Sequence, residues 1–195
     1  MYLRDPCGLK RKGNNMKRNQ SIKIIVGNGI FAAITAVLTF IPIPIGNVNI
    51  NLGLIPIVLA SIIFGVKSGL FVGLVNGICV LVSPATIQFF FSISPIGTIL
   101  VCLLKTGLAG LFAGLIYKAL MSKKQYLGVV LSSVIVPIAN TSIFIIGSLI
   151  FFDGVFGELI TLFIAANFII EFVINLLLIP TIHYIVNIYK KKNVI

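Results

Sequence analysis

Of the 195 residues, none is tryptophan, one is histidine and four are acidic. Each shortage removes a class of protein. So few histidines and carboxylates leave no ligand set for a membrane metalloenzyme, and the chain has no H-E-x-x-H, G-x-S-x-G or Walker A pattern. A membrane serine protease needs a Ser–His pair in mid-bilayer, whereas His183 falls near the end of the last apolar run. The three cysteines, Cys7, Cys79 and Cys102, lack metal-ligand spacing, and the two inside apolar runs read as packing residues. No enzymatic activity, metal or cofactor is therefore expected. Charged residues make up 10% of the chain, against roughly 25% in soluble domains, which excludes a water-soluble fold.

What is present is apolar. Hydrophobic residues reach 58%, mean hydropathy is +1.15, and several runs approach the ~20 residues a membrane span needs. The first span is expected over about Ile22–Ile41, ending at Pro42 and Pro44, which remove backbone donors and disfavour helix before them. The run is too long for the apolar region of a cleaved signal peptide. A polar connector over residues 46–51 follows. The second run, Leu52 to Phe64, and the third, Ser68 to Val82, are shorter than the ~30 Å hydrocarbon core requires. An uncharged segment from Ser83 to Ser94, with Pro84, Gln88 and Phe89 to Phe91, reads as a lid over a cavity or as an interfacial loop. The remaining spans are expected over Pro95–Tyr117, Leu127–Phe152 and Ile160–Ile188. The fold class is thus an all-α integral membrane protein, six transmembrane helices in a compact bundle. The membrane domain covers residues 22–189, between a disordered basic tail (1–21) and a short basic tail (190–195).

Charge sets the expected orientation. Of the fifteen Lys and Arg residues, fourteen fall in the N-terminal tail and first-span start, the hinge at Lys67, the connector with Lys118, Lys123 and Lys124, or the C-terminal tail. The three connectors on the other side have none. The positive-inside rule then places both termini in the cytoplasm of a multi-pass plasma-membrane protein. The basic excess, a formal +11, is an orientation signal and not a nucleic-acid surface.

Glycine and the intramembrane polar residues carry the remaining signal. Gly65, Gly69, Gly73 and Gly77 recur every fourth residue. In water each interior glycine weakens a helix by about 1 kcal/mol; in lipid such a row is a seam where a second backbone comes close. Two ionisable residues lie near mid-span, Lys105 and Glu171, each about ten residues, or roughly 15 Å, in from the outer side. Two readings stand: a structural ion pair, or ligand groups lining a cavity. Asn167, Glu171 and Asn175 are spaced four apart and share a helix face. Asn76 and Asn140 sit near the middle of the third and fifth spans. Any one buried amide is ordinarily inter-helix glue; together these groups suggest a polar cavity. His183 reads as an interfacial residue.

The six-span layout, the short second and third spans and the pattern LIPIVLASIIFGVKSGLFVGLVNG resemble the S components of energy-coupling factor (ECF) transporters. KTGLAGLFAGLIYK, Lys105 to Lys118, resembles the fourth helix of that family, and Ala32-x-x-x-Ala36 resembles the small-residue pair presented to the transmembrane coupling subunit. The resemblance covers roughly residues 22–189. It implies a substrate-binding membrane subunit that captures a vitamin or related micronutrient outside the cell. A separate coupling subunit and two ATP-binding subunits would drive its release inward. The connector GNVNINLGLIPI and Pro137-x-x-Asn140-Thr141 look closest to the pantothenate-type branch. The substrate-binding residues expected on this basis are Asn49, Asn51, Asn76, Gln88, Lys105, Asn140, Asn167 and Glu171, with Ala32 and Ala36 toward the partner. Two alternatives remain open: a self-contained secondary transporter or channel using Lys105 and Glu171, and a structural subunit of another membrane complex.

Overall fold

The structure, a computed structural model, describes residues 6–41, 43–45, 48–122, 124–152 and 158–193. In chain order the elements are α1 (Pro6–Phe40), β1 (Ile43–Ile45), β2 (Val48–Ile50), α2 (Leu54–Phe64), α3 (Val66–Leu81), a short α4 (Pro84–Thr86) running into a π-helical turn (Ile87–Phe91), α5 (Pro95–Leu120), α6 (Gln125–Phe151) and α7 (Glu158–Asn193). Four helices contain stretches long and apolar enough to cross a bilayer: Gln20–Phe40, Pro95–Leu120, Gln125–Phe151 and Ile164–Lys191. The other two apolar helices, α2 and α3, have 11 and 16 residues, or roughly 16 and 24 Å at 1.5 Å per residue.

The shortest of these six helices is the hub. α2 is apolar on every side, a pattern that is stable only with neighbours all round. Leu54, Ile57, Val58 and Ala60 are fully buried. The helix packs against α1, α3, α5, α6 and α7. It ends at Gly65, whose φ of +94° lies where only glycine is at ease. The Gly65 N–H closes the last turn on the Ser61 carbonyl at 3.1 Å, and α3 starts at the next residue.

The glycine seam expected from the sequence is present, and its partner is α5. A Cβ at Gly69 would stand 2.5 Å from the Gly110 carbonyl oxygen, and one at Gly77 would stand 2.7 Å from that of Cys102. Gly110 and Gly114 of α5 reciprocate against the backbone of Gly69 and Val66. Each backbone thus lies in the other's groove, the contact that holds membrane helices together without a hydrophobic driving force. Ser61 and Ser132 add buried hydroxyl contacts to neighbouring helix backbone, Ser61 Oγ to the Gly110 carbonyl and Ser132 Oγ to the Ala113 carbonyl, both at 2.9 Å.

Three expectations are corrected. Residues 6–21, expected to be disordered, continue α1 as a polar helical extension. Proline is tolerated at the first helical position, and a helix already nucleated in the apolar span gains one hydrogen bond per added residue. The connector expected over residues 46–51 as a polar link begins earlier and is ordered: its β-branched residues form a two-stranded antiparallel ribbon, with Ile43 opposite Ile50, Pro44 opposite Asn49 and Ile45 opposite Val48. Residues 83–94 are largely helical and fastened by aromatics: the Phe90 ring lies 5.6 Å from Phe144 and 5.2 Å from Phe152, centroid to centroid. Residues 46, 47 and 153–157, Asp153 of the expected connector among them, and the side chain of Asn49 lie outside the description.

Candidate functional site

Polar side chains from α1, α3, α7 and the ribbon end converge beside the α2 N-terminus. Apolar helices leave such groups two options, other side chains or a ligand, because lipid offers no hydrogen bonds. On α1, the Thr39 hydroxyl lies 2.7 Å from Asn76 Oδ1 of α3 and 2.8 Å from the Thr35 carbonyl. It has one proton for these two acceptors. Asn76 is fully buried, and its Nδ2 has no partner in the protein. Asn51, just after β2, turns its Oδ1 to the Gly53 N–H at 2.9 Å, and its backbone faces the Glu171 carboxylate. Gly53 occupies the centre of this knot: a Cβ there would meet Asn76 Oδ1 at 2.5 Å, Thr39 Oγ1 at 2.6 Å and Asn51 Oδ1 at 2.8 Å.

The α7 side of the site is the stripe of Asn167, Glu171 and Asn175. Asn167 Nδ2 donates to Glu171 Oε1 at 3.1 Å, and Asn175 Nδ2 donates back to the Glu171 carbonyl at 2.9 Å. Glu171 is 2% exposed. Its Oε2 and the side-chain oxygens of Asn167 and Asn175 have no protein partner. Asn140, on α6, is buried with its Oδ1 likewise unpartnered.

Lys105 lies apart from this cluster, on α5. Its ammonium lies 4.7 Å from the centroid of the Phe144 ring, a cation–π contact. Around it, Thr86, Phe90, Thr98, Val101, Cys102, Phe144 and Phe152 enclose a cavity of about 20 Å³, room for about one water molecule. Among the described residues no ion pair joins Lys105 to Glu171, whose Oε1 accepts from Asn167 while Oε2 has no hydrogen-bond partner.

Asn51, Asn76, Asn167 and Glu171 are thus brought into one cluster, and Lys105 lines a separate small cavity. Gln88 is exposed on the π-helical turn, with its carbonyl accepting from the Ser92 hydroxyl at 3.1 Å, and it does not join them. Asn49 belongs to the ribbon by its backbone pairing. Ala32 and Ala36 are half-buried on α1. His183 sits near the far end of α7, with Nε2 2.9 Å from Asn187 Nδ2 and its ring edge-on to Tyr126. Sequence reasoning missed Thr39, Thr98 and the aromatic wall of Phe90, Phe144 and Phe152. The first left a signal, since Thr35 and Thr39 are spaced four apart in an otherwise apolar span. The aromatics left none, because phenylalanine in a membrane helix is ordinary.

A bundle of apolar helices, four of them with stretches long enough to cross a bilayer, defines a membrane-embedded protein. The chain matches the family model of the ECF transporter substrate-specific component over residues 23–183. It belongs to that family, whose members are transporter subunits and not enzymes. No curated protein and no solved structure matches it.

Proposed function

We propose that this chain captures a small carboxylate-bearing micronutrient, with pantothenate the best single candidate. It then hands the ligand to a coupling subunit driven by two ATP-binding subunits. In this reading residues 22–189 cross the plasma membrane six times with both termini cytoplasmic, a topology that the one-sided distribution of Lys and Arg supports. The observation that carries the proposal is the pair of unneutralised ionisable groups. Lys105 and Glu171 stand in apolar surroundings, where a charge or a lone polar atom is costly unless something pairs with it. They are separate from each other, and unpartnered amide atoms surround Glu171. A ligand with a carboxylate at one end and hydroxyl or amide donors at the other satisfies both walls. Its carboxylate accepts from Lys105, and its donors go to Glu171 Oε2 and the Asn167 oxygen. The cavity beside Lys105 is too small for such a molecule, so entry requires the segment 83–94 to move away from Phe144 and Phe152.

The test is mass spectrometry of the small molecule carried through purification, followed by calorimetric titration. Tryptophan quenching has no reporter here. The expected result is one bound carboxylate compound per chain. A charge-assisted hydrogen bond contributes about 1.5–3 kcal/mol, so Lys105→Met is expected to weaken binding roughly 10- to 150-fold. Glu171→Gln is expected to weaken it less. Equal affinity in Lys105→Met would remove the carboxylate assignment. Accumulation by the purified chain alone, driven only by an ion gradient, would replace the subunit reading with a secondary transporter.

A further inference from the structure

The cavity beside Lys105 is small and built around one cation. Lys105 lies ten residues into α5, which begins at Pro95. That is roughly 15 Å along the helix, near the middle of a ~30 Å hydrocarbon core. Its ammonium rests over the Phe144 ring of α6, 4.7 Å from the centroid. Among the described residues no hydrogen bond or ion pair reaches it. Thr98 and Cys102 share its face of α5, being one and two helical turns before it, and both are buried. Thr86 and Phe90 bring the segment 83–94 to the same cavity. The Thr98 hydroxyl donates to the Ser94 carbonyl at 2.8 Å. Among the described residues no carboxylate lines the cavity.

We propose that this cavity binds one monatomic anion, chloride, at the Lys105 ammonium. Size supports a monatomic ion. The cavity measures about 20 Å³, and one water needs roughly 10–15 Å³. Chloride is slightly larger than water and fits; sulfate, phosphate and organic acids, with several heavy atoms each, do not.

Charge supports an anion over a water. A cation at this depth is costly unless something pairs with it. The Phe144 ring face offsets part of that cost, and a water brings no charge of its own. An ammonium has donors and no acceptor, so its partner must accept. Chloride accepts from any direction, which suits a site whose other walls are rings, an aliphatic side chain, hydroxyls and the weak S–H donor of Cys102. The ion site stands on this geometry alone. One consequence rests on the proposed function: the ligand carboxylate takes the place of chloride at Lys105, so the two compete.

The experiment is a thermal melt of the full chain in detergent at constant ionic strength, with potassium gluconate exchanged for potassium chloride or bromide. The parent midpoint is expected to rise saturably with either halide, by roughly 3–6 °C once the halide exceeds its dissociation constant about tenfold. Lys105→Met is expected to abolish the rise. Cys102→Met, which keeps the cation but fills the cavity, is expected to do the same and decides the matter where the first variant does not fold. A parent midpoint that ignores halide overturns the proposal, as does a rise that persists undiminished in either variant. Calorimetric titration with pantothenate separates this site from the proposed function. At the same chloride level pantothenate is expected to bind about tenfold more weakly than in gluconate. A halide-dependent midpoint with pantothenate binding absent, or unmoved by chloride, supports the ion site and overturns the carboxylate assignment of Lys105 instead.

Discussion

Adding one methyl group at Gly73 is expected to damage the bundle, whereas the same change at Gly29 is not. A Cβ built at Gly73 stands 2.9 Å from the Thr106 carbonyl carbon and 3.0 Å from Gly107 Cα, and closer still to the Thr106 oxygen. Ordinary contacts begin at 3.4 Å. The obstructing atoms are backbone, so no side chain can swing aside. α3 and α5 must separate by about half an ångström or more, weakening dispersion contacts along the whole seam. Overpacking of this kind costs about 1–3 kcal/mol, and the better helix propensity of alanine returns up to about 1 kcal/mol. The expected net loss is about 1–2 kcal/mol, a fall of roughly 2–8 °C in midpoint for a chain of this size. At Gly29 a Cβ would meet nothing within 4 Å, so Gly29→Ala is expected to keep or raise the midpoint. Thermal melts in detergent, followed by far-UV circular dichroism, measure both. A Gly73→Ala protein as stable as its parent, or a Gly29→Ala protein falling equally far, would refute the seam.

The other predictions test different joints. Gly65→Ala forces a side chain onto φ +94°, ψ −176°, a glycine-only region, and is expected to cost about 1–3 kcal/mol in the same melts. Ser132→Ala removes the fully buried hydroxyl contact between α6 and the Ala113 carbonyl; membrane hydrogen bonds of this type average about 0.6 kcal/mol, so a shift above about 2 kcal/mol would point to a larger packing role. Ala36→Leu is expected to weaken co-purification with the coupling subunit while leaving ligand affinity intact; lost ligand binding with assembly preserved would move Ala36 to the site. Thr39→Val, close in shape but without the hydroxyl, is expected to leave Asn76 less well satisfied and to lower the midpoint by a few degrees.

The short helix α2 and the glycine row of α3 were legible because each is a pattern that admits one environment. A helix apolar on all sides must be surrounded, and glycines at every fourth position must face another backbone. The ribbon at 43–50 was less legible, because its three-residue strands are too short to show a period of two, and Pro44 hid the first one. The helix over residues 6–21 was missed for a related reason. Polar composition argues against an isolated helix, yet a preceding segment can continue a helix already nucleated in the span.

The Lys105 and Glu171 question shows where reading a sequence stops. Helical rise gives depth, about 1.5 Å per residue, so two residues about ten positions into parallel spans are expected at one level. Rotation about the helix axis is the second coordinate, and it depends on which neighbours the rest of the helix packs against. The same-level argument therefore could not separate an ion pair from a ligand site. In the fold, α5 turns Gly69's partner Gly110 toward α3 and lays Lys105 over the Phe144 ring of α6, while α7 points Glu171 at the Asn51 backbone. The two ionisable groups stand on different helices, α5 and α7. Under the proposed function, a ligand that bridges them carries an anion at one end and hydrogen-bond donors at the other. That proposal predicts that a carboxamide analogue of the bound acid loses affinity through Lys105 alone: Lys105→Met should weaken the acid strongly and the amide little. An equal effect on both analogues would mean that the lysine shapes the cavity without reading the carboxylate.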